Sequence, residues 1–128
     1  MKLSWIAILL SITLFSCVTG NIVIPTDLTT GELVQKAQEA SDKNRYDTAA
    51  MYYNAVLERF PNDREAVCGA QYEIAFIHYK QKKYAEAEDE LLSLLSLYNA
   101  PDGDLLPRKY FILSSTVLEN IKNASAKK

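Results

Sequence analysis

What this chain has little of narrows its chemistry. His78 is its only histidine, and the four glycines, Gly20, Gly31, Gly69 and Gly103, lie far apart. That spacing excludes a glycine-rich phosphate loop, and no Gly-x-Ser-x-Gly turn presents a nucleophile. One isolated imidazole is a poor basis for acid–base or metal chemistry, so His78 reads as packing or a hydrogen-bonded structural residue. No acidic stretch has the spacing of a calcium-binding loop. A basic excess is missing too: 14 Lys and Arg stand against 16 Asp and Glu, for a net charge of −2. A surface without a positive field cannot neutralise a phosphate backbone, which excludes nucleic acid as a partner class. These absences lead us to expect a non-catalytic protein with no cofactor and no resident metal.

Long hydrophobic runs are also lacking, apart from one at the start. Leu3 to Phe15 is apolar apart from small hydroxyl residues and follows Lys2. It is shorter than the roughly 20 residues that span a bilayer, and a short apolar core behind a positive start is the pattern of a secretory signal. Leu14-Phe15-Ser16-Cys17 then resembles the lipobox of bacterial lipoproteins, although Phe15 departs from the small residue usual at its position. The resemblance implies a diacylglyceryl group on the Cys17 sulfur, cleavage after Ser16 and acylation of the new amino terminus. Several acyl chains hold a protein on a membrane without a spanning helix. Val18 takes the place where an Asp would signal inner-membrane retention, so the resemblance points to the periplasmic face of the outer membrane. With Cys17 lipidated, Cys68 has no partner for a disulfide and reads as a small buried hydrophobe on a helix.

The remaining chain is low in turn formers except at intervals, and those intervals repeat. Residues 17–30, the cysteine and a stretch with Gly20, Pro25 and several threonines, read as a tether. From Gly31 on, the apolar residues follow a helical period. Tyr46-Asp47-Thr48-Ala49 aligns with Tyr84-Ala85-Glu86-Ala87, a shift of 38 residues, each preceded by polar turn residues and followed by an apolar helix. The chain here resembles a tetratricopeptide-repeat (TPR) protein. Leu33, Ala37, Ala49, Tyr53 and Pro61 in a first unit (31–63), and Ile74, Ala75, Ala87 and Leu91 in a second (64–98), fall on that family's pattern positions. Lys36, Ala40, Gln71, His78 and Asn99 depart from it.

The resemblance implies an all-α fold, a short TPR-type solenoid of about two and a half repeats and five helices. Ala49 and Ala87 are expected where the second helix of each pair crosses the first, because small residues let helices approach. After the turn cluster Asn99 to Asp104, a capping helix is expected from Leu105 to Ile121 within the segment 99–123, with Tyr110, Leu113, Val117 and Ile121 on one face. Residues 124–128 are a polar tail. So short a solenoid leaves apolar surface uncovered, which a homodimer or a docked partner would bury.

Charge clusters have a plain reading. Glu86, Glu88, Asp89 and Glu90 lie near a helix start, and Lys80, Lys82 and Lys83 near a helix end, as the macrodipole favours. Aromatics are more suggestive, since Tyr72, Phe76 and Tyr79 share one face of the second unit's first helix. In TPR proteins that helix lines a concave groove, and the resemblance places Gln38, Tyr72, Phe76, Tyr79, Lys80 and Phe111 at groove positions. The competing reading makes the stripe ordinary core, with Ile74 and Ile77 contending for the inward face. In layout the chain is similar to the TPR lipoprotein of the machinery that inserts β-barrels into the outer membrane. The function expected is therefore a membrane-anchored scaffold that binds envelope proteins or peptide segments. Scaffolds for cell division or peptidoglycan synthesis share the layout, and a ligand-binding lipoprotein of a transport system is the alternative of another class.

Overall fold

The computed structural model describes residues 22–127, and these form helices and turns without a strand among them. The signal segment and Cys17 lie outside the described residues. Five α-helices follow in order: α1 (Thr30–Asp42), α2 (Tyr46–Arg59), α3 (Arg64–Lys80), α4 (Tyr84–Leu97) and α5 (Arg108–Ser125). Each packs on the next, and α3 also touches α1 and α5, so the first helices of successive pairs lie side by side.

Local chemistry explains each boundary. Thr29 caps α1: its Oγ1 accepts from the Glu32 N–H at 3.3 Å, and its own N–H donates to Glu32 Oε2 at 2.8 Å. The Thr29 N–H, and then its hydroxyl, which donates to the same Oε2 at 2.7 Å, hold the Glu32 carboxyl below its ordinary range. Asp63 caps α3 by accepting from the Ala66 N–H at 3.0 Å. Both helix-pair loops turn through a left-handed residue, Asn44 (φ 55°) and Lys82 (φ 61°), again a shift of 38. The N–H groups of Arg45 and Lys83 close these turns on the carbonyls of Ala40 and His78.

Two cores result. In the first, Leu33, Ala37, Ala49, Tyr53 and Val56 of α1 and α2 meet Ala70 and Ile77 of α3. In the second, Cys68, Tyr72 and Ala75 of α3 meet Ala87, Leu91 and Leu94 of α4 and Val117 and Ile121 of α5. Ala37, Ala49, Ala75 and Ala87 are all fully buried, as helix crossings at small residues require.

Three details differ from the sequence-based expectation. Residues 24–29 are more than a tether, for Ile24 and Leu28 pack on the first core and Arg59 donates to the carbonyls of Pro25 (2.6 Å) and Ile24 (3.2 Å). The last helix begins at Arg108 rather than Leu105, because Gly103–Leu105 form a 3-10 turn and Pro107 fixes the start of α5. It also continues to Ser125, beyond the expected end. The inward series on α5 is Tyr110, Ser114, Val117 and Ile121, while Leu113 is 40% exposed. An i, i+4, i+7, i+11 series fits a 3.6-residue period as well as the expected one, and packing on α3 and α4 selects it.

Candidate functional site

The aromatic stripe of α3 forms the middle of a longer ladder. Tyr72 stacks on Phe76 (ring centroids 5.7 Å apart), Phe76 on Tyr79 (5.8 Å), and Tyr79 tilts against Tyr84 of α4 (5.8 Å). At the other end Tyr72 meets Tyr110 of α5 at 6.0 Å. Tyr72 is buried, and burial, with help from the Glu73 carboxylate, pushes its phenol up to about 12. Phe76 and Tyr79 remain half-buried on the edge of the second core. Lys80 joins the two helix pairs: its Nζ donates to Ser41 Oγ at 2.9 Å and lies 5.0 Å from the Tyr46 ring centre and 5.2 Å from that of Phe76.

Beside this ladder, α1, α3 and α5 enclose a cavity of about 420 Å³. Gln38 and Val34 of α1 line it, with Ala66, Gly69 and Glu73 of α3, Tyr110 of α5 and, from below, Tyr53 of α2. The Tyr110 hydroxyl sits over Gly69, where a Cβ would lie 2.6 Å from its oxygen. Tyr53 is 1% exposed, and its hydroxyl has no hydrogen-bond partner among the described residues. Burial raises its pKa above the ordinary phenol value, and the carboxylates of Glu73 and Asp42 add to the shift. Glu73 itself is held above the usual carboxylate range by burial, which the Lys80 charge partly opposes.

The structure thus divides the groove candidates. Gln38 lines the cavity, exposed at its rim. Tyr72, Phe76, Tyr79 and Lys80 do not line it; they belong to the ladder, which touches the cavity only where Tyr72 meets Tyr110, and Tyr72 is largely committed to the core. Phe111 stands apart, edge-on to Tyr98 at the end of α4 (5.4 Å) with the Arg108 guanidinium 4.4 Å from its ring centre. Its neighbour Tyr110 is the residue that faces α3. The sequence marks Tyr53 only as a repeat-pattern position and does not single out Glu73. The signal for Tyr53 lay in the repeat alignment, which pairs it with Leu91 and so marks a hydroxyl where the fold accepts a hydrocarbon.

The remaining polar groups hold the scaffold together. His78 Nδ1 meets Glu90 Oε2 at 2.7 Å, and Nε2 lies 3.9 Å from Glu86, tying α3 to α4. Cys68 is 1% exposed, and burial pushes its thiol up, away from reactivity. Lys109 pairs with Glu65, and Arg64 with Asp102 at 3.2 Å, both exposed and linking α3 to the chain beyond α4. No group of His, Cys, Asp and Glu among the described residues could hold a metal ion, and no described helix is long and apolar enough to cross a membrane.

No family model matches the chain, and no solved structure matches it either. A protein of Treponema pallidum (strain Nichols) described as uncharacterized is 36% identical over 99 residues, which make up 77% of this chain. The chain spans 40% of the length of that relative.

Proposed function

We propose that the chain is a TPR-type scaffold of a bacterial cell envelope, anchored by lipid on Cys17, that binds an extended segment of another protein along α1, α3 and α5. The observation that carries this reading is the cavity, to which the first helix of each pair and α5 contribute: Gln38, Glu73 and Tyr110. Helix pairs with buried alanines at their crossings resemble the TPR plan, although their 38-residue period is about one helical turn longer than the TPR unit of about 34, and in that plan the first helices form the binding face. The anchor rests on Leu14-Phe15-Ser16-Cys17 behind a short apolar segment. Among envelope roles, assistance in outer-membrane protein assembly fits the layout best, with cell division and peptidoglycan synthesis as alternatives that the partner's identity would decide.

The test uses the full chain, purified from gently solubilised membranes beside a Gly31→Trp variant. Gly31 lines the cavity, and a Cβ there meets nothing within 4 Å, so a large side chain at this position is expected to obstruct the groove without a backbone clash. An envelope protein that co-purifies and is lost in the variant supports the scaffold. Mass spectrometry of the same material reads the anchor: Cys17→Ser should abolish the acyl mass and release the protein from membranes.

A second reading draws on the size of the cavity, which falls in the range of about 300–1,000 Å³ typical of small-ligand sites. A small molecule retained on purification, with no protein lost in Gly31→Trp, would favour a ligand-binding lipoprotein.

A further inference from the structure

We infer that the end of the molecule carrying the α1–α2 and α3–α4 loops sits on an anionic phospholipid surface, the one that holds the anchor. This rests on the reading of Cys17 as lipidated and adds the orientation of the domain.

The helices bring three chain segments to that end. Lys80, the last residue of α3, donates to Ser41 near the end of α1 at 2.9 Å, which sets the loops at 43–45 and 81–83 side by side. α5 runs parallel to α3, for Lys109 pairs with Glu65 and Tyr110 meets Tyr72, while Ile121 and Lys122 lie beside Glu88 and Leu92 of α4. The end of α5 therefore joins the two loops. The described chain also enters here. Ile24 and Leu28 pack on the first core, Arg59 holds the carbonyls of Ile24 and Pro25, and Ile22 shares a shallow groove with Lys36, Lys43 and Arg45. Ile22 follows Cys17 by five residues, a reach of at most about 18 Å. α3 alone, with 17 residues, is about 26 Å long, so the anchor keeps this end within less than a helix length of the lipid.

Charge follows the same axis. At the opposite end each cation is engaged within the fold: Arg59 on the two carbonyls, Arg64 on Asp102, Lys109 on Glu65 and Arg108 over Phe111. At the loop end Lys43, Arg45, Lys82, Lys83, Lys122 and Lys127 are exposed, and none forms an ion pair with a described carboxylate. The carboxylates at the tip are fewer, Asp42, Asp47 and Glu86, and Glu86 is drawn toward His78. Glu39, in the groove with Ile22, is bonded to Gln35 at 2.9 Å, and Glu88, Asp89 and Glu119 lie a turn or more back along α4 and α5. Each basic residue close to an anionic bilayer shifts the balance of orientations roughly fivefold, so a few unpaired ones decide which end faces it. Val23, 85% exposed, and Ile22 add apolar side chains at the point of entry, where a membrane interface accommodates them. So seated, the cavity, built from the first halves of α1 and α3, lies on the side away from the lipid.

The experiment reconstitutes the full lipidated chain in vesicles of phosphatidylcholine with about a third phosphatidylglycerol, and in phosphatidylcholine alone. A fluorophore on Ala85→Cys, at the loop end, or on Asn62→Cys, in the α2–α3 turn, reports its distance from a quencher on the lipid headgroups. Both positions are exposed, whereas Cys68 is buried beyond the label's reach. On anionic vesicles quenching at Ala85→Cys should exceed that at Asn62→Cys about twofold or more, because the length of α3 separates them. The difference should vanish on phosphatidylcholine, and in about 1 M salt, where charges are screened beyond about 3 Å. Lys43→Gln, Arg45→Gln and Lys83→Gln together should remove it with the thermal midpoint unchanged, since these side chains hold nothing in the fold. Mass spectrometry of the same sample reads the acyl group. With acylation present, equal quenching at the two sites on anionic vesicles overturns the seated orientation and leaves the anchor standing. A difference that survives on phosphatidylcholine or in the triple variant overturns it too, for charge is then not what orients the domain. If Cys17 carries no acyl group, the anchor falls and this inference falls with it.

Discussion

The two helix pairs, α1–α2 and α3–α4, are variations on one plan, and their differences are more instructive than their likeness. A shift of 38 residues carries Ala37 onto Ala75 and Ala49 onto Ala87, all fully buried. It also carries the left-handed Asn44 onto the left-handed Lys82. At these positions backbone geometry leaves little choice. Elsewhere the pairs diverge: Leu91 replaces Tyr53, Phe76 replaces Gln38 and Glu73 replaces Gln35. Each of Tyr53, Gln38, Gln35 and Glu73 lines the cavity where the two pairs and α5 meet, but divergence extends well beyond it, with Leu33 becoming Gln71 and Lys36 becoming Ile74. The repeat sets what the fold needs, and the departures from it show what else the molecule has been shaped to do.

The sharpest way to break the comparison is in the second core. Leu91 is completely buried between α3 and α4, and Leu91→Ala should destabilise the protein by about 2–5 kcal/mol through lost burial and the void left behind. Denaturant titration measures this, and a loss below about 1 kcal/mol would mean that the second pair collapses onto the gap far better than a packed repeat can. Next in size is the junction beyond α4, which has no counterpart in the first pair. At Gly103 a Cβ would lie 2.6 Å from the Tyr98 carbonyl carbon. Backbone cannot swing aside as a side chain can, so Gly103→Ala should cost about 1–3 kcal/mol. Gly69 provides the control. There the obstacle is the end of the Tyr110 side chain, and replacing a helical glycine by alanine returns about 0.5–1 kcal/mol. Gly69→Ala should therefore be close to neutral in the same titration.

Much of this plan was legible before any coordinates. The five helices, the loops between them and the buried alanines follow from apolar periodicity and the repeat. The register of α5 did not, because Leu113 and Ser114 lie one residue apart and both satisfy a helical period. Hydrophobicity favours Leu113, whereas contact with α3 and α4 buries Ser114 and leaves Leu113 exposed. The same one-residue ambiguity separates Phe111 from Tyr110. Of the site, the stripe Tyr72, Phe76 and Tyr79 was readable as one helical face, and Gln38 and Lys80 followed only from the TPR resemblance. The cavity floor was not, since Tyr53 scores as a good core residue and nothing local reveals that its hydroxyl lacks a partner. Glu73 carries no local signal in the sequence, and only the packing of α1 and α5 on either side of it places it at the cavity.

Both floor residues can be tested without a ligand. Removing an unpartnered buried hydroxyl relieves a desolvation penalty, so Tyr53→Phe should stabilise the free protein by about 1 kcal/mol. Glu73 adds a pH dependence. Its folded pKa lies above the ordinary value because burial disfavours the charge, so the folded state holds its proton more tightly than the unfolded chain does. Its effect on stability is then favourable to the fold at low pH and is lost as the pH rises through the folded pKa. Glu73→Gln should raise the thermal midpoint at about pH 7 and change the slope of stability against pH through the acid range. A variant whose midpoint falls at neutral pH would mean that the carboxylate is satisfied in the fold.

The smallest effect concerns the two left-handed loop residues, where the pairs agree in shape and differ in suitability. Asn44 adopts φ 55° at little cost, because its short polar side chain tolerates that region, and its Oδ1 accepts the Tyr46 hydroxyl at 2.8 Å. Lys82 holds φ 61° without such help. The shift of 38 brings Tyr46 onto Tyr84, so Lys82→Asn would ease the backbone and place an acceptor near the Tyr84 hydroxyl. We expect a gain of about 0.5 kcal/mol, or roughly 2–4 °C in the melting midpoint. The reverse change, Asn44→Lys, should lose at least as much, since it both strains the turn and orphans Tyr46. A Tyr84→Phe background divides the two contributions: the backbone part of the Lys82→Asn gain persists there, and the hydrogen-bond part vanishes. If the whole gain vanishes with the hydroxyl, the left-handed turn carries no strain at Lys82, and the two loops differ only in what their side chains can accept.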